Sequence, residues 1–176
     1  MNEIVERACA RLGVDSRDLQ FLGNGHFGGA WRTLDGTVVK VTSDPSEIAL
    51  VRLGTSHESR GLPVIFRGPV TVAPGIQAYE REDLSNFPFE CPLLQEMTIV
   101  AKPPVPMHPK DRLARYDAIL YGKEAYDAYP FVIEALRRFR RHGILVWDLK
   151  RSNLGHRGDD IVIRDGRCIR LGVQDR

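Results

Sequence analysis

The sequence predicts an α+β protein built in two parts, an antiparallel sheet followed by a mainly helical segment. Three observations predict it. Strand-like runs before residue 80 are separated by Gly-rich or Asp-Gly turns, apolar residues beyond Pro109 recur at helical spacing, and a 43% apolar content across 176 residues suffices to bury a core. The net charge of +2 is too small to imply a nucleic-acid partner. Cys9, Cys91 and Cys168 are odd in number, far apart and without a C-x-x-C pair, which argues against a disulfide framework or a zinc knuckle. A reducing, cytoplasmic compartment is expected. No apolar run is long enough to span a bilayer, and the start Met1-Asn2-Glu3-Ile4 lacks the basic and apolar regions of a leader, so a soluble protein without membrane contact is expected.

The first element is a short helix over residues 3 to 12, with Ile4, Ala8 and Leu12 on one face and Gly13 placed to end it. Leu19-Gln20-Phe21-Leu22 reads as a strand leading into Gly23-Asn24-Gly25-His26-Phe27-Gly28, and Ala30-Trp31-Arg32-Thr33-Leu34 as the strand that follows. Asp35-Gly36 then turns the chain into Thr37-Val38-Val39-Lys40-Val41-Thr42. In a dinucleotide-binding fold the glycine motif would open a helix; here a strand follows it. A glycine turn between antiparallel strands either is an ordinary hairpin or folds over phosphates and offers them backbone N–H groups. Lys40 favours the second, because an ammonium under such a turn neutralises phosphate oxygens, although a strand lysine more often faces solvent.

Asp44 is placed to cap a helix that starts at Pro45 and runs past Ile48 and Val51 to Gly54. Glu47 sits three residues after Asp44, so it either closes a capping box or reaches Lys40; Glu58 is the rival partner for Lys40. Residues 62 to 72 and 75 to 80 read as two further strands that complete the sheet. The polar residues 81 to 88 form a connection. Pro103, Pro104, Pro106 and Pro109 make residues 102 to 109 an extended loop.

Beyond it, Leu113, Tyr116, Ile119 and Leu120 share one helical face, and Val132, Ala135, Leu136 and Phe139 share another that ends at Gly143. Arg137, Arg138, Arg140 and Arg141 form the opposite side of that second helix and read as a solvated face, with no interleaved aromatics to stack on bases. The stretch Val146-Trp147-Asp148-Leu149-Lys150-Arg151-Ser152-Asn153 then sets a carboxylate, a cation and an amide at fixed offsets, and Asp165-Gly166 follows.

In this order the motifs resemble those of the protein-kinase-like superfamily. Gly23, Gly25 and Gly28 match G-x-G-x-x-G, with Ala30 where the motif carries valine. Thr37 to Lys40 is similar to V-A-I-K, residues 146 to 153 to a Ser/Thr-kinase-like H-R-D-L-x-x-x-N, and Asp165-Gly166 to a D-F-G without its phenylalanine. The resemblance implies a two-lobed protein-kinase-like α+β fold. Its N-lobe, residues 1–80, would be an antiparallel β-sheet with one helix and the glycine-rich loop; residues 81–90 would be a hinge and 91–176 a reduced, mainly helical C-lobe. It implies an ATP- and Mg²⁺-dependent phosphotransferase that moves the γ-phosphate to a hydroxyl acceptor of unknown identity, protein or small molecule.

By that resemblance Asp148 accepts the proton of the attacking hydroxyl and Lys150 stabilises the transferring group. Asn153 and Asp165 hold Mg²⁺, while Gly23, Gly25, Gly28 and Lys40, positioned by Glu47, bind the nucleotide, with adenine against residues 79 to 84. Two alternatives stay open. Asp165-Gly166 is equally a hairpin turn between residues 161–163 and 168–171, in which case Asp175 becomes the rival metal ligand. Val146 and Trp147 replace the histidine and arginine of that loop, so pairing with a phosphorylated activation loop is not expected; with the altered D-G and only eleven residues after Asp165, the chain is also compatible with a pseudokinase-like module that holds a nucleotide or a partner without turnover. A protein partner or a second copy of the chain is then expected to meet the arginine face or the proline loop.

Overall fold

The computed structural model describes residues 3–55 and 60–171, and the chain divides into two units. Unit 1 comprises Met1–His57 and Val64–Asp83; unit 2 comprises Glu58–Pro63 and Leu84–Arg176. Among the described residues no helix is long and apolar enough to cross a membrane.

Unit 1 begins with α1 (Glu3–Leu12), whose buried residues Val5, Ala8, Cys9 and Leu12 fall at helical spacing. Gly13, at φ 66°, ends it in the left-handed conformation that glycine adopts without a Cβ penalty. Five strands follow: β1 (Gln20–Gly25), β2 (Gly28–Arg32), β3 (Thr37–Thr42), β4 (Ile65–Ala73) and β5 (Ile76–Glu82), with α2 (Pro45–Thr55) between β3 and β4. They pair antiparallel in the order β1-β2-β3-β5-β4.

Strand alternation gives this sheet two working faces. Val39, Val41, Val72 and Ala78 pack with the buried residues of α1. On the other face Tyr79 packs with Ile48 and Val51 of α2. Lys40 falls between Val39 and Val41 and pairs with Tyr79, so it belongs to the α2 face. The unit therefore holds two helices, one per sheet face, where the resemblance implied one. A second difference is that Arg81 and Glu82 belong to β5, not to an open connection, because Arg81 pairs with both Val38 and Ile65.

Unit 2 holds β6 (Ser85–Asn86), α3 (Pro92–Ala101), α4 (Pro109–Tyr121), α5 (Lys123–Ala128), α6 (Pro130–Arg141), β7 (Ile144–Trp147), a 3₁₀ turn (Arg151–Asn153), β8 (Leu154–Arg157), β9 (Asp160–Ile163) and β10 (Arg167–Arg170). Helix α3 was not anticipated, although Leu94, Met97, Val100 and Ala101 are buried at helical spacing behind a Pro92 start. The arginine side of α6 is only partly the solvated face expected. Arg140 makes two bonds to the Asp117 carboxylate on α4, at 2.7 and 2.8 Å, and the Arg137 Nε donates to the Leu120 carbonyl at 3.0 Å. Arg137 also lies over the rings of Tyr121 and Tyr126.

The short strands form two sheets. β8 pairs with β6 and β9, while β10 pairs antiparallel with β7. Residues 60–63 are part of this unit. The Ile163 N–H donates to the Gly61 carbonyl at 2.9 Å, Arg157 donates to the Leu62 carbonyl at 3.1 Å, and Arg60 pairs with Asp160 at 2.5 Å. That engagement is why β4 starts at Ile65 and not at Leu62.

Candidate functional site

In unit 1 the polar feature on the α2 face of the sheet is the carboxylate of Glu47. It pairs with the Lys40 ammonium at 3.1 Å and accepts from the Tyr79 hydroxyl at 2.6 Å and the Thr42 hydroxyl at 3.0 Å. Both charged side chains are largely shielded, at 14% and 12% exposure, so their attraction is little screened by water. Asp44 caps α2 by accepting from the Ser46 N–H at 2.9 Å, and its own N–H donates to the Thr42 hydroxyl at 3.1 Å. Glu47 thus closes no capping box; its bonds go to Lys40, Tyr79 and Thr42. The rival partner Glu58 lies outside the described residues.

The three motif glycines do different work. Gly23, at φ 148°, sits at a bulge in the β1–β2 pairing, and a Cβ on Gly23 or Gly25 would meet nothing within 4 Å. Gly28 is the opposite case. A Cβ there would stand 1.9 Å from the Val41 carbonyl, so Gly28 is required by the close approach of β2 to β3 whatever the turn binds. Ser43 ties the tip down, its N–H donating to the Phe27 carbonyl at 2.8 Å and its hydroxyl to the same oxygen at 3.1 Å.

In unit 2 the strand β7 ends at Trp147 and the next residue, Asp148, takes φ 64°. Left-handed backbone is uncommon outside glycine, and Asp and Asn are among the residues that tolerate it. The loop around it is fastened on both sides. Leu149 is fully buried and its N–H donates to the Thr98 hydroxyl of α3 at 2.8 Å, while the Tyr116 hydroxyl of α4 donates to the Val146 carbonyl at 3.0 Å. Burial pushes the Tyr116 phenol well above its ordinary range. Asn153 turns back so that its side-chain amide donates to the Asp148 carbonyl at 2.8 Å. Its Oδ1 carries no protein hydrogen bond among the described residues. The Lys150 ammonium lies 3.2 Å from the Asp148 carboxylate and is 58% exposed.

Sheet topology places Asp165. A hairpin at Asp165-Gly166 would pair β9 with β10, but β9 pairs with β8 and β10 pairs with β7. The dipeptide therefore crosses from one sheet to the other, which brings it beside the Asp148 loop. The Asp165 N–H donates to the Asn153 carbonyl at 3.0 Å, and the preceding Arg164 donates to the Ser152 carbonyl at 2.5 Å and to the Asn86 side chain. Asp148, Lys150, Asn153 and Asp165 are thus gathered within one unit, while Lys40, Glu47 and the glycine turn belong to the other. Asp175 lies outside the described residues.

Among the described residues no three His, Cys, Asp or Glu side chains gather as a metal cluster. Asn153 and Asp165 offer two oxygen donors, a set that suits Mg²⁺, which keeps several waters and takes further ligands from substrate phosphates. Thr98 and Arg164 are supporting residues that motif reading passed over, and Tyr79, expected only as the start of the adenine-facing residues, also supports Glu47 through its hydroxyl. They meet the loop or the ion pair through long-range pairing, which leaves no local signature.

No family model matches the chain, and no curated protein matches it. Among solved structures it is similar to the streptomycin-ATP-APH(2")-IIa ternary complex, at 12% identity and a TM-score of 0.45, over 96% of this chain and 72% of that one.

Proposed function

We propose that the chain is an ATP- and Mg²⁺-dependent phosphotransferase of minimal protein-kinase-like fold. The observation that supports this reading most is the sheet-to-sheet crossing at Asp165, which ties its amide to Asn153 five residues beyond Asp148. Two carboxylates and an amide oxygen on interlocked loops make an acid-base and metal-ligand set; a plain hairpin would not.

In this reading Asn153 Oδ1 and the Asp165 carboxylate would hold Mg²⁺, which when bound would supply charge neutralisation to the nucleotide phosphates. Lys40, held by Glu47, pairs with the α- and β-phosphates, and the glycine turn offers N–H groups. The acceptor hydroxyl oxygen bonds to the γ-phosphorus as the bond from that phosphorus to the ADP oxygen breaks. The hydroxyl proton passes to Asp148, and Lys150 neutralises the phosphoryl oxygens. Asp148 and Lys150 are the catalytic residues.

Two measurements test it. Mg-ATP at about a hundred times its dissociation constant adds roughly 2.7 kcal/mol to stability, so the melting temperature rises. No rise at millimolar Mg-ATP removes the nucleotide role. Transfer of the γ-phosphoryl group to water, to the chain itself or to a hydroxyl acceptor falls at least about a hundredfold in Asp148→Asn, in line with loss of a general base. Asparagine keeps the left-handed backbone, so the fold is retained. Binding without turnover in the unaltered chain would instead identify a pseudokinase-like module.

A further inference from the structure

The Glu47 carboxylate is held by more than its ion pair. Oε1 meets the Lys40 ammonium at 3.1 Å and accepts from the Tyr79 hydroxyl at 2.6 Å, and Oε2 accepts from the Thr42 hydroxyl at 3.0 Å. The three donors come from two adjacent strands, since Lys40 and Thr42 stand on β3 and Tyr79 lies opposite Lys40 on β5. Both hydroxyls are fixed in direction. Thr42 accepts from the Asp44 N–H at 3.1 Å, which leaves its single proton for Glu47. Tyr79 is 2% exposed and packs against Ile48 and Val51 of α2, the helix that carries Glu47. Its hydroxyl bond to the carboxylate is short and charge-assisted.

Two other charged residues close by in the chain pairing bind elsewhere. Arg81, placed on the same sheet face by its pairing with Val38, donates to the Glu82 carbonyl at 3.1 Å. The Asp44 carboxylate accepts from the Ser46 N–H and hydroxyl at 2.9 and 2.7 Å. Lys40 is thus the one cation paired with Glu47 among the described residues. A shielded carboxylate that loses its cation is strongly destabilising unless other donors satisfy it. When Lys40 pairs with phosphates it shares or leaves Glu47, so the cost of that move depends on what else holds the carboxylate.

We infer that Tyr79 and Thr42 are positioning residues for the nucleotide: their hydroxyls hold Glu47 in place and share its charge, so the Lys40 ammonium can turn to phosphate oxygens without stranding a carboxylate. The inference rests on the reading of Lys40 as the phosphate-binding cation. Without the two hydroxyls, Glu47 competes harder for the ammonium and loses its fixed position, and both effects weaken nucleotide binding.

The test couples two measurements on the full chain. In thermal melts, Lys40→Met lowers the melting temperature at least about twice as far in Tyr79→Phe as in the unaltered chain, because only Thr42 then remains on the carboxylate. Equal losses in the two backgrounds overturn the clamp. In calorimetric titrations with Mg-ATP, the dissociation constant rises at least about fivefold in Tyr79→Phe and in Thr42→Val, and stays near the parent value in Thr42→Ser, which keeps the hydroxyl. Once Glu47→Gln is present, adding Tyr79→Phe raises the constant no further. A purely structural role predicts lower melting temperatures with an unchanged constant, and a direct contact of Tyr79 with the nucleotide predicts the same rise with and without Glu47→Gln; either result overturns the inference. Should Thr42→Val fail to fold, Tyr79→Phe, which keeps the packed ring, carries both measurements. Coupled melting losses without any binding of Mg-ATP remove the nucleotide reading and leave the clamp on Glu47 standing, whereas binding with uncoupled losses removes the clamp alone.

Discussion

Within the G-x-G-x-x-G run, position by position, glycine answers two different demands. Gly28 has no room, with a Cβ 1.9 Å from the Val41 carbonyl, whereas Gly25 has open space and no left-handed φ. Gly28→Ala should therefore push β2 from β3 and cost about 1–3 kcal/mol, as overpacking does. Gly25→Ala should melt within about 0.5 kcal/mol of the parent yet bind Mg-ATP more weakly, because only the approach of phosphates is impeded. Thermal melts with and without Mg-ATP check both; equal behaviour of the two variants contradicts the division. The motif showed all three glycines but not this difference, since the crowding at Gly28 comes from β3 packing. The same applies to Glu47. Its reach to Lys40 was one of two readings open from its offset to Asp44, but the Tyr79 hydroxyl that completes its environment depends on the Lys40 to Tyr79 register.

At the level of elements, periodic segments were legible and cross-element uses of polar residues were not. α1, α2, α4 and α6 follow the apolar spacing directly, and α2 also its Asp44 cap. α3, between the polar connection and the proline-rich loop, drew no reading from the sequence although its buried residues are periodic. The arginine run on α6 shows the limit of composition. A charge run is usually solvated, yet Arg140, 20% exposed against Asp117 at 32%, fastens α6 to α4 with a two-bond pair. Half-buried bidentate pairs exceed the surface median, so Arg140→Met is expected to destabilise by about 1–3 kcal/mol, while Arg141→Met, on an exposed residue, stays within about 0.5 kcal/mol. Denaturant titrations of the two variants measure the contrast. Equal midpoints would mean that the pair is too solvated to matter.

Across the whole molecule the least legible feature is the path of the chain. It leaves unit 1 after α2, contributes Glu58–Pro63 to unit 2, and returns to unit 1 for β4 and β5 before crossing finally at Leu84. No local pattern announces such a detour, because its cause is a set of partners nearly a hundred residues away: Asp160, Ile163 and Arg157. Gly61 is where the detour is tightest, since a Cβ there would stand 2.2 Å from the Phe131 carbonyl on α6. That contact is backbone against backbone, so nothing at the far end of a flexible side chain can yield. Gly61→Ala is therefore expected to cost about 1–3 kcal/mol, the range for an added carbon in a packed site. For a chain of this length that corresponds to a melting point lowered by roughly 2–4 °C for each kcal/mol. Gly36→Ala serves as the reference, because Gly36 meets nothing within 4 Å and its cost is confined to the left-handed backbone at φ 76°. A loss at Gly61 no greater than at Gly36 would show that residues 60–63 are not bound as tightly to unit 2 as these contacts require.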